Sequence, residues 1–520
     1  MKIILAGFNL DVNTIEDYKN FIQRVVKELN INTFSKLDSQ TKEQIIKEIY
    51  QNAYSLSEKE NLTPETLSAA YARISRNSKP VNELREIARH EIDRARKSNQ
   101  NIIFNLGHSS VAEHATFNFD IIDVSRYAVE IIQHFRLASY TEKSQRYVLF
   151  KDDFVIPKEI QNTLFEKEYI RLIREQNNIY QTLYEVLHPY MFELYPKLAE
   201  NQKNHRMLEG LAKEDARYVI SLATQTQLGM TVNARTLENI IVKSNSHPLA
   251  EINEYGKKLY EVTKGYTPSI VKYIKPTEYL KNKNEDLKKV SFKKMRISRK
   301  FENNNDIQLI GYHPKNAEDR LLAIILFHHN GLNYSQSLKK VMQLNHDEKK
   351  SIFREIFRNI NSWDNVIREF EFIYFTFQLT VSASNYGQLK RHRMVNIISQ
   401  EYDIDLGVTI PNSVIETNKK DLFLKIIYKT NRLYQKLKDF SPIIAPYILT
   451  NAHRRRVLLK INMRELYHFS RLREDQHAQW DIRVTAHKIS NIVREKLPLA
   501  GALLCGKDEF NKIYEQFFQD

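Results

Sequence analysis

The stretch that decides the fold spans residues 107–147 and reads GHSSVAEHATFNFDIIDVSRYAVEIIQHFRLASYTEKSQRY. Phe117 and Phe119 alternate with other residues at the period of a β-strand, which predicts a strand whose two rings lie in the core. Charged side chains follow near the end of the stretch, among them Glu142 and Arg146. The stretch therefore predicts a core strand followed by a segment able to bind a charged ligand.

Short matches to this stretch recur in the second half of the chain, in the same order. The matching pairs are EHATFNF from residue 113 with EFIYFTF from residue 371, HFR from 134 with RHR from 391, and NAR from 233 with NMR from 462. Each half also opens with a β-rich run, MKIILAGFN from residue 1 and IQLIGYHPK from residue 307. An ordered series of matches at near-constant offset indicates an internal duplication.

The duplication predicts two similar domains of an α/β (α+β) fold. We expect each to contain a small mixed sheet and long helices, because apolar residues recur at the helical period, for example over 252–271 and 481–493. Residues 276–305 are rich in Lys, Asn and Glu, which is typical of a linker. The predicted domains are therefore 1–275, with an insertion near residues 10–60, and 306–520.

Composition excludes several classes of protein. The chain of 520 residues has a formal net charge of +15 and a sequence pI near 9.3, which suits phosphorylated ligands or a solvated basic surface. Its 12 glycines form neither a G-x-G-x-x-G nor a G-x-x-x-x-G-K-[ST] motif, so side chains must hold any phosphate. The single cysteine, Cys505, allows no disulfide framework, and we expect it to be a small buried residue.

The opening run and the other apolar runs favour a cytoplasmic protein. No run approaches the roughly 18 apolar residues of a membrane span. The first run is shorter than a secretory signal and reads as a β-strand. His108, Glu113 and His114 could suggest a metal site, but a third ligand at useful spacing is not apparent in the sequence, so no metal is expected.

The segment from residue 134 to residue 147 resembles the signature of the flavin-dependent thymidylate synthases (the ThyX family), R-H-R-x-x-S-x-N-E-x-S-x-R-Y. The positions that match are Arg136, Ser139, Glu142, Ser144, Arg146 and Tyr147, and those that depart are His134, Phe135 and Thr141. The second half supplies the missing opening as Arg391, His392 and Arg393. The resemblance extends over both halves except the linker and the insertion.

The resemblance implies a site for deoxyuridylate (dUMP) made of two sets of side chains, and each half keeps one set. The first half keeps Glu142, Ser144, Arg146 and Arg217, and the second keeps Gln388, Arg391 and Arg473. The lost members are replaced by Asp403 and Pro446 in the second half, and by Ile131, His134 and Lys243 in the first. Because the losses are complementary, the halves together supply one full composite site, and the opposite pairing is empty.

The physical chemistry of these residues agrees with the roles that the resemblance implies. Arginine's planar fork binds a phosphate dianion bidentately, which suits Arg146 and Arg217. If their segment is helical, Gln388 and Arg391 project from one face. Methylation at C5 of uracil develops negative charge on the ring, and a fixed guanidinium such as Arg473 lowers the barrier by about 3 kcal/mol.

The resemblance also implies FAD as cofactor, with NADPH and 5,10-methylenetetrahydrofolate as co-substrates. The flavin contacts that it implies are Ser110, Glu142, Arg391, His392, Arg393, Asn462, Arg464 and His468, and His108 corresponds to a histidine near the flavin ring and the folate. Met463 and His468 depart from the Ala and Asn of the family. The first half matches the family better at these positions, so the alternative of a second, partial flavin site stays open.

The resemblance therefore predicts a methyltransferase that makes thymidylate, acting as a homodimer that forms a pseudo-tetramer. One alternative is a relative that methylates another pyrimidine nucleotide. Another is a catalytically retired paralogue that binds nucleotides or nucleic acid, although nucleic acid is not the expected partner. The sequence leaves open whether the composite site lies within one chain or across a dimer.

Overall fold

The computed structural model describes residues 1–30, 34–58, 62–146, 152–295 and 306–519. Its strands are β1 Lys2–Phe8, β2 Thr116–Ser125, β3 Ala138–Glu142, β4 Gln225–Asn233, β5 Ile307–His313, β6 Tyr374–Ser382, β7 Asn396–Ser399 and β8 Arg454–Asn462. The helices up to residue 295 are α1 Val12–Glu28, α2 Ser39–Glu58, α3 Glu65–Arg73, α4 Val81–His90, α5 Ile92–Gln100, α6 Arg126–Ile132, α7 Leu164–Leu194, α8 Pro196–Ala199, α9 His205–Ala216, α10 Ala234–Asn245, α11 Ala250–Thr263 and α12 Glu278–Met295.

The helices after residue 306 complete the fold. They are α13 Ala317–His329, α14 Tyr334–Val341, α15 His346–Phe357, α16 Ala383–Leu389, α17 Asn412–Glu416, α18 Lys420–Phe440, α19 Met463–Arg473, α20 Trp480–Lys496 and α21 Phe510–Gln519. Short 3₁₀ segments lie between them, of which Ser109–His114, Arg217–Val219 and Arg368–Phe372 bear on the site. Among the described helices, none has both the length and the hydropathy needed to cross a bilayer.

The chain forms two compact units, and their boundaries cross the sequence halves. Unit 1 comprises residues 1–143, 155–161 and 225–297, and unit 2 comprises 144–154, 162–224 and 298–520. Helices α7 to α9 therefore come from the first half of the sequence but belong to the unit that contains the second sheet. The sequence domains 1–275 and 306–520 stay a prediction about the internal repeat. The packing of helices and strands follows the two compact units instead.

Unit 1 is built on a four-stranded sheet in the order β1-β2-β4-β3. Alternate residues of β2 point inward, and Phe117, Phe119 and Ile121 are almost fully buried, as the alternation predicts. Burying one such side chain stabilises the fold by about 1.5–3 kcal/mol. Helix α11 covers this face, where the Tyr255 hydroxyl lies 3.3 Å from the sulfur of Met230.

Unit 2 repeats the arrangement with the order β5-β6-β8-β7. Phe375 and Phe377 are buried opposite Ile461 and Leu459 of β8. The first strand of each sheet carries a register shift at the same place, between Leu5 and Gly7 in β1 and between Leu309 and Gly311 in β5. The shared irregularity supports the duplication.

The α/β fold with two similar halves is confirmed, and the strand pairing corrects one detail. Every pair among the described strands is antiparallel, so each sheet is antiparallel rather than mixed. Neighbouring strands such as β2 and β4 run in opposite directions because β4 begins at the end of the sheet where β2 finishes, with Gln225 opposite Ser125. The predicted strands from residues 1 and 307 are present as β1 and β5.

The predicted insertion and linker are largely helical in the structure. Helices α1 and α2 lie within the stretch near residues 10–60. Helix α12 occupies most of the linker, and residues 296–305 lie outside the described part of the chain. Tyr147 of the signature also lies outside the described residues.

Candidate functional site

Arg473, the last residue of α19, is held in place by two neighbouring elements of unit 2. Its Nε donates to Nε2 of His392 at 2.9 Å, and its Nη1 donates to Oε1 of Gln388 at 3.0 Å. Burial, and after it the positive charges of Arg391 and Arg146, lower the pKa of Arg473 to about 10. The guanidinium remains protonated at neutral pH, and no carboxylate among the described residues forms an ion pair with it. This site is therefore suited to an anion.

His392 is a neutral imidazole whose tautomer is determined by its partners. Because arginine only donates, Nε2 of His392 must accept, so Nδ1 carries the proton and donates to Oε1 of Glu465 at 3.1 Å. Burial lowers the pKa of His392, Glu465 opposes that shift, and Arg473 adds to it. Asn462 caps α19 by accepting from the backbone N–H of Glu465 at 2.8 Å. The cap, the carboxylate and the imidazole thus orient the guanidinium together.

Gln388 and Arg391 do not lie on one continuous helix. Helix α16 ends at Leu389, and Arg391 lies in the turn that follows, where its N–H donates to the Gln388 carbonyl at 3.3 Å. The helix stops because the chain must reverse before β7 begins at Asn396. Gln388 therefore lies in the helix and Arg391 in the turn after it, so the condition under which both would project from one helical face is not met. Arg391 is solvent-exposed in this turn.

Arg146 belongs to unit 2 although it comes from the first half of the sequence. Its Nη2 donates to the His477 carbonyl at 3.3 Å, and its Nε forms an ion pair with the buried carboxylate of Glu214. Its N–H donates to Oγ of Ser144 at 3.2 Å. Because Arg146 also lowers the pKa of Arg473, cations from both sequence halves act on one another within this unit.

Arg217 lies at the end of α9 and is buried, with 6% of its surface exposed. Its Nη2 donates to Oγ of Ser384 at 2.9 Å, and its carbonyl accepts from Nδ2 of Asn451 at 3.0 Å. Ser384 lies in the first turn of α16, one helical turn before Gln388. The same short helix therefore contacts Arg217 at its start and Arg473 at its end.

Asp215 is a fully buried carboxyl two residues before Arg217. Trp480 donates to it from Nε1 at 2.7 Å, and Ser413 donates from Oγ at 2.6 Å. Burial, with a smaller contribution from Glu214, raises the pKa of Asp215 to about 7 against the opposing hydrogen bonds from Ser413 and Trp480. The carboxyl is therefore about half protonated near neutral pH.

The raised pKa predicts a specific dependence of stability on pH. Because the folded pKa exceeds the unfolded value of about 3.9, the native state binds more protons than the unfolded state between about pH 4 and pH 7. The contribution of Asp215 to the free energy of unfolding therefore falls as the pH rises through that window. Asp215→Asn is expected to reduce this slope, measured by denaturant unfolding from about pH 5 to pH 8. A variant whose slope equals that of the wild type would contradict the assignment.

The residues that the resemblance assigns to the flavin in unit 2 lie around the start of α19 and the turn after α16. His468 and Arg393 are exposed, whereas His392 is buried between them and Glu465. Arg464 donates to the Val366 carbonyl at 3.0 Å and to Glu371 at 3.0 Å.

The first half repeats the ion pair of Arg464. In unit 1, Arg235 donates to Glu113 at 2.6 Å. Both pairs join the arginine of the N-x-R motif to the glutamate before the central strand of the sheet. The duplication has therefore kept this contact in both halves.

Three predicted site residues belong to unit 1. His108 and Ser110 are exposed at the 3₁₀ segment before β2. Glu142 is nearly inaccessible and accepts from Arg126 at 2.9 Å and from Gln133 at 3.2 Å. Its carboxylate therefore has protein partners within the unit.

The first half's counterparts of Arg391 and Arg473 also lie close together in unit 1. Lys243 stands 5.6 Å above the ring of Phe135. Burial lowers the pKa of His134, and the charges of Lys243 and Arg136 lower it further. A lysine has no planar fork, so this pair cannot hold a pyrimidine as Arg473 could.

Cys505 is buried and is suited to packing rather than to nucleophilic attack. Nη1 of Arg471 lies 3.1 Å from its sulfur, and burial raises the pKa of the thiol to about 11. A thiol with that pKa is almost entirely protonated at neutral pH, so little thiolate is present.

The buried thiol leads to a prediction for Cys505→Ala. The variant is expected to keep its rate of product formation within about twofold, because the loss of a small buried group affects mainly stability. Steady-state turnover and the melting temperature would be compared with those of the wild type. A loss of turnover without a loss of stability would indicate a chemical role for the thiol.

The structure brings together Gln388, Arg391, His392, Arg473 and Arg146, and Arg217 contacts Ser384 on the helix that carries Gln388. Sequence reasoning missed the residues that orient this group, namely Glu465, Ser384 and Glu214. One of them had a signal, since Asn462 and Glu465 have the N-cap to N3 spacing. Ser384 and Glu214 had no signal in the sequence, because their contacts join segments that are far apart along the chain.

Comparison with known proteins adds independent findings. The sequence profile described as "Thymidylate synthase complementing protein" (Thy1) matches twice, over residues 58–269 and 309–499. A UPF0159 protein of Thermoplasma acidophilum is 24% identical over 481 residues, covering 84% of this chain and 94% of that protein. A UPF0159 protein of Chlamydia pneumoniae is 22% identical over 447 residues, covering 82% of this chain and 81% of that protein.

Shorter proteins match part of the chain. A flavin-dependent thymidylate synthase of Geobacter sulfurreducens is 29% identical over 215 residues, covering 41% of this chain and 83% of that enzyme. One solved structure is that of flavin-dependent thymidylate synthase ThyX from Helicobacter pylori, complexed with FAD and dUMP. It is 19% identical in sequence, and the match covers 41% of this chain and 96% of that chain, with a TM-score of 0.27. That score is too low to carry a structural argument.

Proposed function

Because the chain belongs to the flavin-dependent thymidylate synthase (ThyX) family and carries two family domains in tandem, we propose that it converts dUMP to dTMP at one composite site. The reaction would use FAD, 5,10-methylenetetrahydrofolate and NADPH. The observation that supports this proposal most strongly is the group of basic side chains in unit 2. Arg146 comes from the first half and Arg391 and Arg473 from the second, and their charges act on one another.

Arg146 and Arg217 would bind the phosphate of dUMP. Burial, and after it repulsion from Arg391 and Arg146, lowers the pKa of Arg473, so a dianion among these cations would relieve an electrostatic cost. Each charge-assisted hydrogen bond to a phosphate contributes about 1.5–3 kcal/mol. Ser144, whose Oγ accepts from the backbone of Arg146, would orient that segment. Arg391, exposed in its turn, would reach the nucleotide beside Gln388.

Arg473 would stabilise the charge that develops on the uracil ring during methylation. Its guanidinium is held by Gln388 and His392, so its orientation is set before the substrate binds. Such preorganised donors contribute about 3–4 kcal/mol to lowering a barrier. Gln388 would then have two roles, since its amide both accepts from Arg473 and retains N–H donors for the pyrimidine.

The residues assigned to FAD fit a dinucleotide in charge and chemistry. The pyrophosphate of FAD is anionic, and Arg391, Arg393 and Arg464 supply three cations. Arg464 lies in the first turn of α19, and a helix N-terminus favours anions. Asn462, His392 and His468 would complete the set in unit 2. The flavin would supply the hydride that completes the methyl group. His108, Ser110 and Glu142 of unit 1 keep their proposed flavin and substrate roles, with His108 beside the flavin ring and the folate.

The proposal extends to the assembly and the location of the protein. We propose a homodimer that forms a pseudo-tetramer, because two domains per chain would reproduce four family domains. Its expected location is the cytoplasm. Light scattering after size exclusion measures the number of chains in the assembly. A chain that stays monomeric at working concentration would exclude the proposed homodimer.

The test of the proposed function begins with a flavin count on the purified full-length chain. Tritium release from C5-labelled dUMP is then measured with NADPH and methylenetetrahydrofolate. Release that requires both co-substrates is the expected result. Bound flavin without release would indicate another nucleotide substrate or a retired paralogue, and absence of flavin binding would overturn the proposal.

A further inference from the structure

A cavity of about 960 Å³ lies in unit 2, apart from the residues assigned to dUMP. Its wall includes the aromatic side chains of Phe327, Tyr334, Phe372 and Tyr374. His328 and Glu369 also line it. The cavity therefore combines a mainly apolar wall with titratable groups that the proposed reaction does not use.

Two histidines converge on one carboxylate oxygen at this wall. His328 and His329 are the last two residues of α13, and Glu369 belongs to the 3₁₀ segment Arg368–Phe372. Nδ1 of His328 lies 2.5 Å and Nε2 of His329 lies 3.9 Å from Oε1 of Glu369. The two rings are 4.4 Å apart, and the three ligand atoms all lie within 4.8 Å of one another.

Each of these three side chains offers one ligand atom. A divalent cation accepts lone pairs from both imidazoles and from the carboxylate at once.

We propose that His328, His329 and Glu369 form a binding site for a divalent transition-metal ion such as Zn²⁺. Two histidines and one glutamate are a donor set that zinc uses where a coordination position stays open. Because His328 and Glu369 line the cavity, the open position faces a space large enough for a small molecule. The aromatic wall suits an apolar or aromatic ligand that also coordinates the metal.

A second cluster, His392, Glu465 and His468, also has three potential ligand atoms close together. There the contacts argue against a metal, since Nε2 of His392 accepts from Arg473 and Nδ1 donates to Glu465. Both ring nitrogens are therefore engaged. This cluster serves as an internal control for the proposed site.

The test uses the full-length chain stripped with a chelator and then titrated with Zn²⁺ by calorimetry and with Co²⁺ by visible absorption. The wild type is expected to bind one equivalent at this site with the ligand-field bands of bound Co²⁺. His328→Ala, His329→Ala and Glu369→Gln are each expected to weaken Zn²⁺ binding by at least about 10- to 100-fold, the loss that even outer-shell changes produce.

Two control variants separate this site from ordinary histidine pairs. His90→Ala removes a histidine that pairs with one carboxylate, Glu86, at 2.7 Å, and His468→Ala removes a member of the second cluster. Both are expected to bind Zn²⁺ as the wild type does. Added Zn²⁺ should also raise the melting temperature of the wild type but not of His329→Ala, whose ring is exposed and tolerates truncation.

Three results would overturn the proposal. They are absence of Zn²⁺ binding by the wild type, unchanged affinity in the three site variants, and loss of the metal in His468→Ala instead. The metal measurements use no dUMP and no flavin, so their outcome is independent of the proposed synthase activity.

Discussion

Arg473→Lys is expected to lower the rate of thymidylate formation by about 100- to 1,000-fold, equivalent to about 3–4 kcal/mol of barrier. A lysine keeps the charge but loses the fork that binds Nε2 of His392 and Oε1 of Gln388 at the same time. The charge would then no longer be held at a fixed angle to the pyrimidine. Single-turnover conversion of dUMP at saturating substrate measures the chemical step.

The matched control for Arg473→Lys is Lys243→Arg, which makes the reverse change in the first half of the chain. That variant is expected to stay within about twofold of the wild type, because Lys243 belongs to the set that lacks its partners. Flavin content is measured in both variants, so loss of cofactor is distinguished from loss of charge stabilisation. Equal losses in the two variants would show that the halves do not divide the roles as proposed.

Arg146→Lys is expected to raise the dissociation constant for dUMP by about 10- to 100-fold, because one charge-assisted hydrogen bond to the phosphate is lost. Lysine retains a charge beside the buried Glu214, so the ion pair in this part of the fold is kept. Arg146→Ala removes that partner as well and is expected to lower stability by several kcal/mol. Calorimetric binding of dUMP and the melting temperature separate the two effects.

The control for Arg146 is Asp403→Asn. Asp403 occupies the matching place in the second half, where it caps a short 3₁₀ segment by accepting from the N–H of Asp405 at 3.1 Å. Asparagine preserves that cap, and dUMP affinity is expected to stay unchanged. Weaker binding in Asp403→Asn, or wild-type affinity in Arg146→Lys, would contradict the placement of the phosphate.

The sequence predicted the sheet strands well because their signal is local. The alternation around Phe117 and Phe375 identifies β2 and β6, and both rings are buried. The order of the strands and their antiparallel pairing depend on contacts between distant segments, so periodicity carries no information about them. The mixed sheet expected from the fold class was therefore corrected by the structure.

The candidate site was predicted as a set of residues but not as an arrangement. The complementary retention of Arg146 and Arg473 was visible in the sequence, and the structure places both in unit 2. The orientation of Arg473 through His392 and Glu465 was not visible, because it depends on a buried imidazole whose tautomer follows from three-dimensional contacts. The helix end at Leu389 was also missed, since the turn toward β7 contains neither Gly nor Pro.

The membership of α7 in unit 2 has a consequence for synthesis of the chain. Gln176 of α7 donates to Oγ1 of Thr430 at 2.8 Å, and 254 residues separate the two. At about 5–20 residues per second, a ribosome needs roughly 10–50 seconds to make that intervening stretch. During this interval the apolar side of α7 lacks its later partner, which makes the nascent chain a client for chaperones. A chain cut at the linker would place α7 and α18 on different fragments, so Gln176 could contact Thr430 only after the two fragments associate.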